Sequence, residues 1–256
     1  EEAAAASSDD PFAVGEHEAA HIPSIITGSP LTGAEALRRS ELWSFFLIHF
    51  LASVGNYGVL LNITQVSAAL DGGYDFWEGL PMILYGGFAL GLVAFGLFAD
   101  KLVPSGINYM YVFCGLYAVE AAGMCVIAAS EHEHVNNFGA AVTGLAGAGY
   151  WLLAPVILVD LFGTYSYNIT SSVIRVSETL SAAVFPVVFY HFYDNQNTHH
   201  TGHHHHSVSE CRGHDCFRDA MYIFGIFQAC AAVLLIAFTI STDGTFRHAP
   251  SFGKSR

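Results

Sequence analysis

Charge is scarce in this sequence. Only 12% of its 256 residues are Asp, Glu, Lys or Arg, where an ordinary soluble domain carries roughly 25%. So little charge cannot coat a water-facing surface, and a soluble globular protein is excluded. Basic residues are scarcer still, 9 Lys and Arg against 22 Asp and Glu, for a formal charge of -13. Nucleic acid is therefore excluded as a partner, because its phosphates must be neutralised by Lys and Arg. There is no phosphate-binding loop, no catalytic-triad spacing and no haem or iron–sulfur signature, so the chain is expected to be neither an enzyme nor the holder of an intrinsic cofactor. The Glu-Glu-Ala start carries neither a secretory signal nor an initiating Met and reads as processed or trimmed.

Apolar residues fill the space that charge leaves, at 53% of the chain. Six runs stand out: Leu42 to Ile63, Leu80 to Phe98, Ile107 to Ala129, Phe138 to Val159, Val173 to Phe192 and Ala220 to Ile240. Each reaches the roughly 20 residues needed to cross hydrocarbon as a helix. Their short connections make consecutive spans antiparallel neighbours, so the expected fold is an all-α, integral membrane six-helix bundle. Residues 1–41 form a polar extension, 42–240 the spanning domain with a His-rich outer loop at 194–218, and 241–256 a polar tail. In the extension, Thr32 and Glu35 are spaced as a capping box, which predicts a short interfacial helix before the first span. With the amino terminus inside, Arg38, Arg39, Lys101, Arg175, Arg247, Lys254 and Arg256 fall on the inner side and only Arg212 and Arg218 outside. That is a positive-inside bias and puts both termini within.

Within the spans, Pro155 and Pro186 each free a carbonyl, and kinks are expected there. Gly87, Gly91, Gly144, Gly147 and Gly149 remove bulk and predict close helix packing. Glu120 lies near the middle of the third span, where an ionised carboxylate is costly. It is a candidate for a proton or substrate pathway, or else a hydrogen-bonded tie between helices. His49, in the first span, differs from it by about 9 Å in depth, so the two are not expected to pair. Asn56, Asn62 and Gln65, with Tyr57, cluster toward the outer half of the first span as pathway residues or interhelical glue. Arg175 and Glu178 are spaced to pair on one helix face at the inner start of the fifth span. In the last outer loop, His199, His200, His203, His204, His205 and His206 are dense enough to hold zinc, copper or nickel. They lack the accompanying carboxylate or cysteine pattern of a defined site. Cys211 and Cys216 in that loop suit a disulfide if the outer compartment is oxidising. Asn62 and Asn168 open glycosylation sequons but sit at a membrane edge and on the inner side, so neither is expected to be modified.

Several motifs together resemble the second half of nodulin-like transporters of the major facilitator superfamily. They are Ala36-Leu37-Arg38-Arg39-Ser40-Glu41-Leu42-Trp43, the stretch Gly55 to Asn62 with Gln65 and Leu70, and Gly147-Ala148-Gly149 followed by Pro155. Asp160-Leu161-Phe162-Gly163, Tyr167-Asn168, Phe192-Tyr193-Asp194 and Cys211 to Phe217 complete the set. The resemblance covers residues 36 to 240. Two departures matter. Where the family carries an Asn and an Arg in the second span of this half, the chain has Phe88 and Leu92, although Gly91, Gly96, Ala99 and Asp100 fit. The family also has two such halves, with its substrate site between them. A lone half implies an accessory, structural subunit of a large membrane complex, surrounded by lipids and other subunits. A mitochondrial inner-membrane respiratory enzyme or ATP synthase is the expected host, with a plastid membrane the other option. The alternative is a half-size transporter of a small organic solute, acting as a dimer or with a separate amino-terminal half.

Overall fold

The computed structural model describes residue 29 and residues 31–71, 79–105, 108–200 and 213–246, with side chains at all of these except 71, 100–105, 194–200 and 243–246. Every regular element among them is helical. In order they are α1 (Gly33–Leu37), α2 (Ser40–Val54), a π-helical turn (Gly55–Val59), α3 (Ile63–Asp71), α4 (Leu80–Ser105), α5 (Tyr109–Ala129), α6 (Glu133–Phe162), α7 (Tyr167–His200) and α8 (Asp215–Phe246). Six segments are long and apolar enough to cross a membrane: Ser40–Val59, Leu80–Ala99, Tyr109–Ala129, Glu133–Phe162, Tyr167–Tyr193 and Asp215–Thr242. The protein is an all-helical bundle of membrane-spanning character.

The helix starts are set locally. Thr32 Oγ1 accepts the Glu35 N–H at 3.3 Å while Glu35 Oε2 accepts the Thr32 N–H at 2.8 Å, the capping box expected from the sequence. Asn108 Oδ1 caps α5 by accepting the Met110 N–H at 2.9 Å. Gly163, at φ 80°, ends α6 and donates its N–H to the Val159 carbonyl at 2.8 Å.

Several boundaries differ from the apolar runs. The first span is not one continuous α-helix: its ladder widens into the π-helical turn at Gly55–Val59 and then breaks before α3. The glycines at 55 and 58 make that possible, since Gly55 admits the Glu120 carboxylate and Gly58 faces the Phe224 ring. Helices α6 and α7 begin at Glu133 and Tyr167, several residues before the apolar runs do. Hydropathy marks the part of a helix in hydrocarbon, whereas backbone hydrogen bonding continues through polar residues at the interface. For the same reason α7 runs on to His200 and α8 starts at Asp215. The connection between α7 and α8 is therefore shorter than 194–218, and helix α8 continues to Phe246, past position 241. Pro155 and Pro186 both lie inside helices that continue past them.

Helix α2 and its π-helical turn occupy the centre, packed on α7 and α8 along their length and on α5 and α6 at the turn. Helix α5 lies between α6 and α8, and α4 packs chiefly on α6. The α4–α6 contact brings backbones together. A Cβ at Gly87 would stand 2.7 Å from the Ala141 carbonyl oxygen, and one at Gly144 would overlap that of Leu84. The packing role expected for these glycines is the one they fill. The rest of α4 points outward, with Leu90, Val93 and Leu97 all more than 60% exposed. The core divides into two apolar clusters. One is built on Phe45, Phe113, Tyr117, Tyr150 and Phe238, the other on Val59, Met124, Phe185, Phe217 and Phe224.

Candidate functional site

A polar layer lies where those clusters meet. On α5, Glu120 falls between Tyr117 of the first cluster and Met124 of the second; on α8, Gln228 falls between Phe224 and Ala231. Both side chains are fully buried, and Gln228 Nε2 donates to Glu120 Oε2 at 2.6 Å. Asn56, from the π-helical turn, joins them across Gly147. A Cβ at Gly147 would sit 2.7 Å from Asn56 Oδ1 and 3.3 Å from Glu120 Oε1. Gly55 and Gly147 thus make the room in which the carboxylate stands. Glu120 Oε1, Asn56 Nδ2 and Gln228 Oε1 have no partner among the described residues. All three side chains are buried, and the Gln228–Glu120 bond ties α8 to α5.

A second assembly begins on the opposite helix pair and reaches the surface. Glu178 on α7 accepts from Arg175 Nη1 at 2.7 Å, the ion pair its spacing predicts. Its other oxygen faces His49 Nε2 at 3.1 Å, and the same nitrogen lies 3.0 Å from the Tyr150 hydroxyl. Ser53 Oγ donates to the His49 carbonyl at 2.7 Å and meets the Tyr150 hydroxyl at 2.9 Å. The hydrogens can be placed from this geometry. A carboxylate paired with Arg175 accepts, so Nε2 carries the ring hydrogen. Tyr150 oxygen shares that hydrogen, and its own O–H goes to Ser53. Buried His49 is therefore a joint between α2, α6 and α7. Glu178 stands eleven residues into α7 and His49 nine into α2, roughly 14–16 Å along helices that start on the same side of the bundle. Because α7 begins at Tyr167, the Arg175–Glu178 pair lies about two to three turns along the helix, where its apolar run starts.

From this joint the assembly opens into a cleft of ≈ 110 Å³ between α6 and α7, lined among others by Trp151, Tyr167, Ser171, Arg175 and Glu178. The Arg175 guanidinium lies over the Trp151 ring, 5.0 Å from its centroid. Its side chain is 53% exposed while that of Glu178 is only 8% exposed. Trp151 also neighbours Tyr57 and Phe88, with ring centroids 6.4 Å away in each case. Pro155, one helical turn on, has no N–H for the Trp151 carbonyl.

The pathway candidates read from the sequence thus separate. Asn56 joins Glu120, and His49 joins Glu178. Gly55, which touches Glu120, is six residues beyond His49, which agrees with the depth offset of about 9 Å. Asn62 serves its own helix, donating from Nδ2 to the Gly58 carbonyl at 2.7 Å. Gln65 donates to the Tyr190 hydroxyl at 3.1 Å, toward the other end of α7. Gln228, Tyr150, Ser53 and Trp151 were not singled out from the sequence. A lone amide inside the apolar run Ile226-Phe227-Gln228-Ala229 was a readable signal, and so was the one-face spacing of His49, Ser53 and Asn56. Cys216 is disulfide-bonded, while Cys211 lies outside the described residues. His203, His204, His205 and His206 also lie outside them, and His199 and His200 are described only as helical backbone.

No protein-family model matches the chain, and no curated protein matches it. Its function is read from its own residues.

Proposed function

We propose that the chain is one half of a membrane solute transporter, its α2–α6–α7 face lining a pathway against a second six-helix bundle. The observation that carries this reading is Arg175. Its guanidinium is half exposed about eight residues into a spanning helix, beside the half-buried Trp151 and Tyr57. At a helix centre a charge facing lipid costs roughly 2.5–3.5 kcal/mol on the more lenient scales, and at the start of the apolar run it must still reach water or a protein partner. The face therefore suits water or protein, whereas the exposed side of α4, with Leu90, Val93 and Leu97, suits lipid. The resemblance to a transporter half points the same way. The test is isolation of the native particle. A second bundle on this face, from another copy or a separate chain, with a water-filled space between them, is the expected result. Lipid packed against the face would rule transport out.

A second reading has its own support. Phe88 and Leu92 stand where the resembling family is polar, and the side chains of the Glu120 layer are buried. Both suit a transporter half turned accessory subunit, held by lipids and neighbouring subunits in a respiratory complex or ATP synthase. The positive-inside bias of the basic residues supports both termini facing inward, and the mitochondrial inner membrane, with the termini in the matrix, is the proposed home, a plastid membrane the other option. Glu120→Gln separates the readings: unchanged assembly with lost flux favours transport, and unchanged flux favours a purely structural layer.

A further inference from the structure

The geometry points to the cleft between α6 and α7 as a binding site for the carboxylate group of a small organic acid, with Arg175 as its anchor. The inference rests on the transport reading of this face and adds the chemical class of what binds there. Three features carry it. First, among the described residues Arg175 is committed on one edge only. Nη1 serves Glu178, and the Nε and Nη2 side of the guanidinium remains a planar fork of the kind that takes a carboxylate bidentately. Second, the guanidinium is held in place from two directions, by the buried carboxylate of Glu178 and by the Trp151 ring. Glu178 is itself fixed from behind by His49, which Tyr150 and Ser53 hold in turn. A fork fixed in this way loses little side-chain entropy when a ligand arrives. Third, the remaining lining matches an acid with a short apolar body. Ser171 and Tyr167 place hydroxyl groups one helical turn apart on α7, Trp151 Nε1 has no partner among the described residues, and Leu158 supplies an apolar wall. The cleft volume of ≈ 110 Å³ is of the order of the ~150 Å³ cavity that admits benzene.

Glu178 sets the sign of the selectivity. Its two oxygens are already taken by His49 and Arg175, so it offers little to a cation. Its charge also weakens any anion on the far side of the guanidinium. Neutralising Glu178 should therefore tighten binding of an acid, the reverse of what a cation site would show.

The experiment uses the full chain in nanodiscs of zwitterionic lipid, with Trp43→Phe and Trp77→Phe so that Trp151 is the sole tryptophan. Benzoate, benzylamine and palmitate are the probes, and Trp151 emission is the readout. Benzoate should give a saturable change, Arg175→Gln should weaken it at least tenfold, Arg175→Lys severalfold through loss of the fork, and Glu178→Gln should strengthen it. A response to palmitate alone would uphold carboxylate binding but assign its source to the bilayer. Preference for benzylamine, weakened by Glu178→Gln, would overturn the proposal while leaving the transport reading intact. A benzoate response unchanged in both Arg175 variants, or no response to any probe, would overturn it as well. The transport reading itself fails separately, if this face proves covered by lipid.

Discussion

At the scale of single residues, buried polar groups define the interior. Glu120 and Gln228 tie α5 to α8 with one hydrogen bond, and interhelical bonds of this type contribute about 0.6 kcal/mol on average and rarely more than 1.7. Glu120→Gln keeps an acceptor for Gln228 and should shift thermal unfolding in detergent very little. Gln228→Leu takes the donor from a buried carboxylate and should lower stability by about 1–2 kcal/mol, read as a fall in the melting temperature. Outside the spans, Glu35 is held below its ordinary value of 4.5 because the Thr32 N–H and hydroxyl both donate to its carboxylate. A depressed carboxylate contributes its stabilisation above the unfolded value and loses it as pH falls through the folded one. The cap of α1 should therefore be intact above pH 4.5 and weaken below it. The protection factor of the Thr32 amide, its exchange relative to the intrinsic rate at each pH, should fall in that lower range, and Glu35→Gln should make the protection factor independent of pH.

At the scale of elements, the α4–α6 contact depends on absent side chains. A Cβ at Gly144 would run into the Leu84 carbonyl, backbone that cannot rotate away, so Gly144→Ala should cost about 1–3 kcal/mol by overpacking. Gly86, against which a Cβ would meet nothing, should accept the same change without loss, and melting temperatures of the two variants test the contrast. Much of this level was legible in the sequence. Apolar runs locate spans because hydrocarbon tolerates little else, the Thr32–Glu35 spacing locates a cap, and the spacing of Arg175 and Glu178 locates an ion pair, all from local rules. The bond between His49 and Glu178 spans 129 positions and depends on how α2 and α7 meet. No local rule contains it, although the similar distance of both residues from the same end of the bundle was a usable hint. The π-helical turn was hidden for a related reason. Nothing local to Gly55 and Gly58 marks the turn; Glu120 and Phe224 arrive from other helices to fill the space beside them.

At the scale of the whole molecule, the two sides of the bundle differ in kind. Helix α4 presents an apolar surface that includes Leu90, Val93 and Leu97, whereas the π-helical turn, α6 and α7 bring Tyr57, Trp151 and Arg175 together among exposed aliphatic side chains of α7, backed by a buried chain of hydrogen bonds. If the second side lines a pathway, water must reach it at mid-span. The direct measurement places a single cysteine at position 57, 151 or 93 (Tyr57→Cys, Trp151→Cys, Val93→Cys) in the full chain with Cys114, Cys125 and Cys230 replaced. Each variant is then labelled in native membranes with a charged, membrane-impermeant maleimide. The account predicts labelling at positions 57 and 151 and none at 93; equal protection at all three would contradict it.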